Sequence, residues 1–465
     1  MKEEIKLSDH FGYRKLMRFT MPSIVMLIFT SIYGVVDGLF VSNFVGKTSF
    51  AAVNLIMPVL MILGCVGFMF GTGGGALIAM SLGEGKKEKA SHIFSFIVAF
   101  SAIAAFCKST SFCSSSIIYL TVFLSISRNS SEKKPMIRPV AMMLGAEGKL
   151  LSDCVLYGRI ILAALPFYIL QFEFQCLFAT AGKPKLGLYV TVAAGVTNMA
   201  LDALFVAGFR WGLVGAALAT SMSELVGGAI PVVYFMKKNT SLLRLTKFRF
   251  DIRILGKAAS NGASEFMNNV SASLVSMLYN MQLMKYAGEN GIAAYGVVMY
   301  VNFIFQAIFM GYSVGSAPIV GFNYGSGNKK ELKSILGKGI RIIVVGAFTM
   351  FVLGQVLARP LAQVFVGYDK ELFDITVAGF MIFSCSFLFS GFPILGSSFF
   401  TALSDGLTSA LISFLRTLVF QVTAVLILPV FFKLTGVWMS VVVAEFLAMI
   451  ATIIFLVAKK KKYGY

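Results

Sequence analysis

The chain has 465 residues, 57% of them hydrophobic and only 13% charged, with a formal net charge of +19 and a mean hydropathy of +0.83. A soluble domain carries about 25% charged residues, so soluble and disordered classes are excluded, and six scattered cysteines exclude a small disulfide scaffold. A positive charge of this size would suggest nucleic acid in a soluble protein, but no basic stretch here is interleaved with aromatics, and no nucleic-acid partner is expected.

What remains is an all-α integral membrane protein. One helical crossing takes about 20 apolar residues, which leaves room for a dozen. The start of the chain (MKEEIKLSDHFGYRKLMRF) is too long and too acidic for a secretory leader, so the first apolar run is expected to persist as helix 1. In chain order, crossings are predicted near 16–42, 51–81, 91–107, 153–181, 186–209, 212–236, 258–285, 292–322, 334–357, 372–402, 407–432 and 436–458. The runs are continuous rather than alternating, which excludes barrel strands. In lipid the backbone must then satisfy itself as helix.

Lys and Arg set the orientation. Of 40 such residues, 26 fall on one side and 12 on the other, with Arg159 and Arg416 inside crossings. The richer side is expected to be cytoplasmic. Both termini are therefore placed in the cytoplasm of a multi-pass protein of the inner (plasma) membrane, with lipid around it.

The chain also repeats itself. At an offset of 242, Gly46 falls on Gly288, Ala51-Ala52 on Ala293-Ala294, Gly73 on Gly315 and Gly83 on Gly325. Further along the offset becomes 221, so that Asp153 falls on Asp374, Gly215 on Gly436 and Glu224 on Glu445. Six crossings per unit return the chain to the side it entered from, so the repeat is parallel. The expected architecture is 12 transmembrane helices in two six-helix bundles, related by a pseudo-two-fold axis normal to the membrane. Residues 1–237 would form the first bundle, 238–257 a basic cytoplasmic linker and 258–465 the second bundle.

The 21-residue change of offset marks 108–137 as anomalous. This Ser-rich stretch carries extra basic charge on the poorer side. It reads as an external insertion or as a locally shifted reading frame, and no functional argument rests on it.

Ionisable groups in lipid are costly, which makes them functional candidates. Asp37 lies in the first crossing, Asn198 and Asp202 in the fifth, and Thr220 with Glu224 in the sixth. Asn198 and Asp202 are four apart and share a helix face. Asp37 maps onto Tyr279 and Asp202 onto Thr423, so neither acid recurs in the second unit, which favours function. Glu224 does recur, as Glu445, which favours a structural role. Two carboxylates with an amide and a hydroxyl would hold a proton or coordinate Na+, and the residues alone leave both open. No phosphate-binding glycine loop with a following lysine is present. Gly71-Thr72-Gly73-Gly74-Gly75 reads as close helix packing. His10 and His92 are expected to be solvated, and an enzyme is not expected.

These residues together resemble the multidrug and toxic compound extrusion (MATE) transporters over essentially the whole length, in the DinF-like branch. The resemblance rests on Pro22 with Asp37-Gly38, Pro58, Leu82-Gly83-Glu84-Gly85, Ala181-Gly182-Lys183-Pro184 and Asn198 with Asp202. Segment 108–137 is a departure from the family pattern. The resemblance implies that Asp37, Asn198, Asp202 and Thr220 form the cation-coupling group, with Na+ there if Na+ is the ion. It implies that Pro22 bends the first helix and that Tyr33 lines the same cavity. Glu265 is similar in place to a glutamate used in the NorM-like branch. The implied activity is export of amphipathic or cationic small molecules in exchange for H+ or Na+, by a monomer without cofactors. The alternative is a lipid-linked oligosaccharide flippase of the same superfamily, which would need a basic cleft for phosphates.

Overall fold

The computed structural model describes residues 5–113 and 137–465. The anomalous segment falls for the most part outside the described residues. Those residues are all-helical, without strands.

The first half contains α1 (Tyr13–Phe40), α2 (Lys47–Gly83), α3 (Lys87–Cys113), the short α4 (Ile137–Met143), α5 (Gly148–Thr180), α6 (Pro184–Asp202) and α7 (Gly212–Met236). The second half contains α8 (Ile252–Gly325), α9 (Lys329–Val366), α10 (Lys370–Ser384), α11 (Phe387–Ala402), α12 (Gly406–Phe414) and α13 (Gln421–Tyr463). Single π-type turns continue α1, α6 and α12. Among the described residues, eight helical segments are long and apolar enough to cross a membrane. The pair α10 and α11, bent by 48°, adds a ninth.

Two of the long helices are broken by backbone conformation. Gly288, at φ 59° and ψ −148°, divides α8. Lys433, at φ 49° and ψ −129°, divides α13. A residue with a Cβ is strained at positive φ, and glycine is not. At the offset of 221, Lys433 corresponds to Gly212, which stands at φ 59° before α7.

Polar caps start several second-half helices, because the first N–H groups of a helix have no partner within it. Asn328 accepts from Glu331 N at 3.2 Å, Asp369 from Leu372 N at 3.1 Å and Asp405 from Thr408 N at 3.3 Å.

The halves meet along α2 and α8, with α1 also packed on α8. Small residues make this approach possible, as apolar lipid gives helices no hydrophobic reason to associate. A Cβ on Gly73 would lie 2.0 Å from Ala258 O, and one on Gly262 would lie 1.9 Å from Met69 O. The glycine run of α2 is therefore a packing surface, as its composition suggests. Asn261 Nδ2 adds a hydrogen bond across the seam to Gly73 O at 3.4 Å.

Extended segments are tied down as well. Phe11 N donates to Glu331 Oε1 at 2.9 Å, and His10 Nδ1 sits 2.7 Å from Glu331 Oε2. Between α7 and α8, Thr246 N donates to Ser95 Oγ at 2.8 Å and Arg249 N to His92 Nε2 at 2.9 Å. His10 remains 75% exposed, in keeping with the expected solvation, and both histidines have protein partners besides. Each meets a segment distant in sequence, which local composition does not reveal.

Candidate functional site

The first-half polar residues converge. α1 brings Asp37, α6 brings Asn198 and Asp202, and α7 brings Thr220; the Asp37 carboxyl faces the other three. This follows from packing, since α6 lies against both α1 and α7. Asp37, Asn198 and Asp202 are all buried, with Asp202 completely so. Thr220 Oγ1 donates back to Ala216 O at 3.1 Å, which leaves its oxygen lone pairs available to an ion. Asp37 Oδ1, Asn198 Oδ1 and both Asp202 oxygens have no hydrogen-bond partner among the described residues. Buried polar atoms are normally satisfied. A convergent group of hard oxygens suits an alkali cation or a proton shared between two carboxyls. Among the described residues no three His, Cys, Asp or Glu side chains gather as a metal site. An ion here would therefore need the Asn198 and Thr220 oxygens.

Two neighbours join the group: Glu224, to which its recurrence had given a structural role, and Tyr157, which no sequence feature singled out. Glu224 lies one turn from Thr220, is buried and is electrostatically close to Asp37. Tyr157 of α5 is buried with an unpartnered hydroxyl and faces Thr220 and the acids. The i, i+4 spacing of Thr220 and Glu224 is a signal that could have placed the first. Its recurrence as Glu445 argued against it. Tyr157 carries no comparable signal.

Tyr33 lies beside the group, and its hydroxyl accepts from Gln171 Nε2 at 3.3 Å. Pro22 sits inside α1, next to a stretch that α8 approaches closely. There a Cβ on Gly311 would lie 2.5 Å from Ile24 Cα.

A separate compartment of about 1410 Å³ opens between α2, α5 and the second half. Met and Asn side chains supply much of its wall, among them Met281, Met299, Asn268 and Asn302. Glu265 lines it, whereas Asp37, Asn198, Asp202 and Thr220 do not. The structure thus separates Glu265 from Asp37 and Asp202.

Across this wall, Arg416 grips Glu445. Its Nε donates to Oε1 at 3.0 Å and to Oε2 at 2.9 Å, and its Nη2 to Oε1 at 2.8 Å. Arg416, one of the two arginines placed inside crossings, thus has its counter-charge.

The MatE family profile matches residues 22–125 and 266–426. The chain is 24% identical over 446 residues to the multidrug export protein MepA of Staphylococcus saprophyticus, covering 95% of this chain and 93% of that protein. In fold it is similar to a MATE crystallised in complex with MaL6, at 21% identity and a TM-score of 0.89 over all of both chains. It is also similar to the outward-facing conformation of a multidrug resistance MATE family transporter of the MOP superfamily, at 21% identity and a TM-score of 0.87, over 100% and 99% of the two chains.

Proposed function

The chain belongs to the MatE family of multi-pass membrane transporters, which are not enzymes, and on that premise we propose that it exports amphipathic or cationic small molecules by antiport. The coupling ion is H+ or Na+. The observation that carries this reading is the division of labour between two compartments. One is a buried, oxygen-rich group outside the large cavity. The other is a large cavity with adaptable Met side chains, which suit varied ligands.

In this reading the ion binds at Asp37, Asn198, Asp202 and Thr220, with Glu224 as an additional acid. Substrate binds in the cavity, where Glu265 supplies negative charge. Ion binding drives transport only if it favours one conformation over the other. Pro22 removes a backbone hydrogen bond from α1, and a bend there would couple the ion group to the helix that contacts α8.

Twelve crossings follow when α8 is divided at Gly288, α12 with α13 at Lys433, the bent α10–α11 pair is taken as one, and α3 is added. The approaches of Gly83 to Phe322 O and of Gly325 to Met80 O, related by the offset of 242, support two bundles about a pseudo-two-fold axis. Both termini are assigned to the cytoplasm of the inner membrane, and the unit of function to the monomer. The flippase alternative is disfavoured because the cavity holds two glutamates and one arginine, a poor lining for phosphates.

The test is dye efflux from proteoliposomes under imposed gradients. Asp37→Asn is expected to abolish ion-driven efflux while the protein still expresses and folds. Full efflux in that variant overturns the coupling role. Imposing Na+ at constant pH, and then a pH gradient without Na+, identifies the ion.

A further inference from the structure

The cavity wall contains three charged residues among those described: Glu265, Arg416 and Glu445. Arg416 spends its charge on Glu445, with three hydrogen bonds between 2.8 and 3.0 Å. This fork is the strong form of the pair, and it is shielded, since Arg416 is 15% and Glu445 6% exposed. Arg416 also lies within electrostatic reach of Glu265. The wall is thus built with one carboxylate in excess.

The pairing belongs to the second half alone. At the offset of 221, Glu445 corresponds to Glu224 and Arg416 to Gly195. No side chain could be added at Gly195 without displacing Phe29, whose ring would lie 2.5 Å from the new Cβ. The first half therefore leaves its glutamate to the ion group, whereas the second half supplies a resident cation.

We propose that Arg416 sets the charge class of the substrate: it neutralises Glu445, so that the cavity takes organic cations bearing a single positive charge, held by Glu265. A second charge on the ligand would be buried without a partner, which is costly. The wall's Met and Asn side chains serve the apolar body and any hydrogen-bonding groups. The inference rests on the efflux reading above and names the substrate class of that cavity.

The experiment uses the full chain, purified in detergent and in proteoliposomes, with ethidium and propidium as probes. Both carry a phenanthridinium ring, with one positive charge on ethidium and two on propidium. The parent is expected to bind and export ethidium in preference. Arg416→Gln frees Glu445 and is expected to shift the propidium-to-ethidium affinity ratio toward propidium by roughly tenfold or more. The double variant Arg416→Gln with Glu445→Gln removes both charges, avoids an unpaired buried carboxylate, and is expected to return the ratio to the parental value. Should Arg416→Gln alone fail to fold, Glu265→Gln with the ion pair intact is expected to lose the preference for ethidium over an uncharged aromatic of similar size. A parent that exports ethidium while the ratio stays unchanged in Arg416→Gln, or shifts equally in the double variant, overturns this inference alone. Retained ethidium preference in Glu265→Gln also overturns it. A parent that neither binds nor exports ethidium overturns the efflux reading, and this inference with it.

Discussion

Gly83 on α2 and Gly325 on α8 make reciprocal contacts that leave no room for a side chain on either. A Cβ on Gly83 would lie 2.0 Å from Phe322 O, and one on Gly325 would lie 2.1 Å from Met80 O. Both pairs are related by the same offset of 242. The relationship identifies a crossing of two helix ends, which we assign to the cytoplasmic side.

Filling that crossing should pry it open. Gly83→Val and Gly325→Val are each expected to destabilise the closed arrangement by about 1–3 kcal/mol, the usual cost of overpacking. Ser81, now buried, provides the readout. A Ser81→Cys reporter should react faster with a membrane-impermeant maleimide in either glycine variant than in its parent background. Equal rates would show that the crossing is not a seal.

Glu224 should behave as a member of the ion group. Glu224→Gln is expected to lower ion-driven efflux by about tenfold or more while leaving equilibrium dye binding near parental, because the dye cavity does not include it. Efflux and binding measured on one preparation separate the two effects. Unchanged efflux would return Glu224 to a packing role.

The break at Lys433 offers a stabilising change. Its φ of 49° is glycine territory, and the side chain is exposed. Lys433→Gly is expected to raise the unfolding temperature in detergent, by relief of about 1 kcal/mol of strain. Lys433→Val should lower it, since a β-branched residue tolerates positive φ least.

Asp405 makes stability depend on pH. Burial pushes its carboxyl up, but hydrogen bonds from Tyr463 and Thr408, with the Lys459 charge, outweigh this and hold it below the ordinary 3.8. A carboxyl lowered by folding contributes stability that is present above the unfolded value and lost as pH falls through the folded one. Asp405→Ala is therefore expected to cost about 1 kcal/mol at neutral pH through the lost cap. The gap between parent and variant in unfolding temperature should shrink as pH falls below 3.8. A gap that is constant from pH 7 to pH 3 would remove the charged cap from the explanation.

Much of this protein is legible in its residues. Apolar runs dictate helices because unsatisfied backbone is intolerable in lipid, and Gly288, at its offset from Gly46, already marks a turn between helices. Asp37, Asn198 and Asp202 stand out because acids and amides are rare in such runs, whereas Thr220 joined them through the family resemblance. Only tertiary packing decided their company. The recurrence of Glu224 as Glu445 suggested one shared role, yet Glu445 is held by Arg416 while Glu224 stands near Asp37. The difference lies in which helix faces which, between residues 29 positions apart in one case and 187 in the other. Periodicity reports the face of a helix that is polar, but not the neighbour that meets it. For the same reason the sequence placed Glu265 among the functional acids, and only the packed helices separated its cavity from the buried group around Asp37.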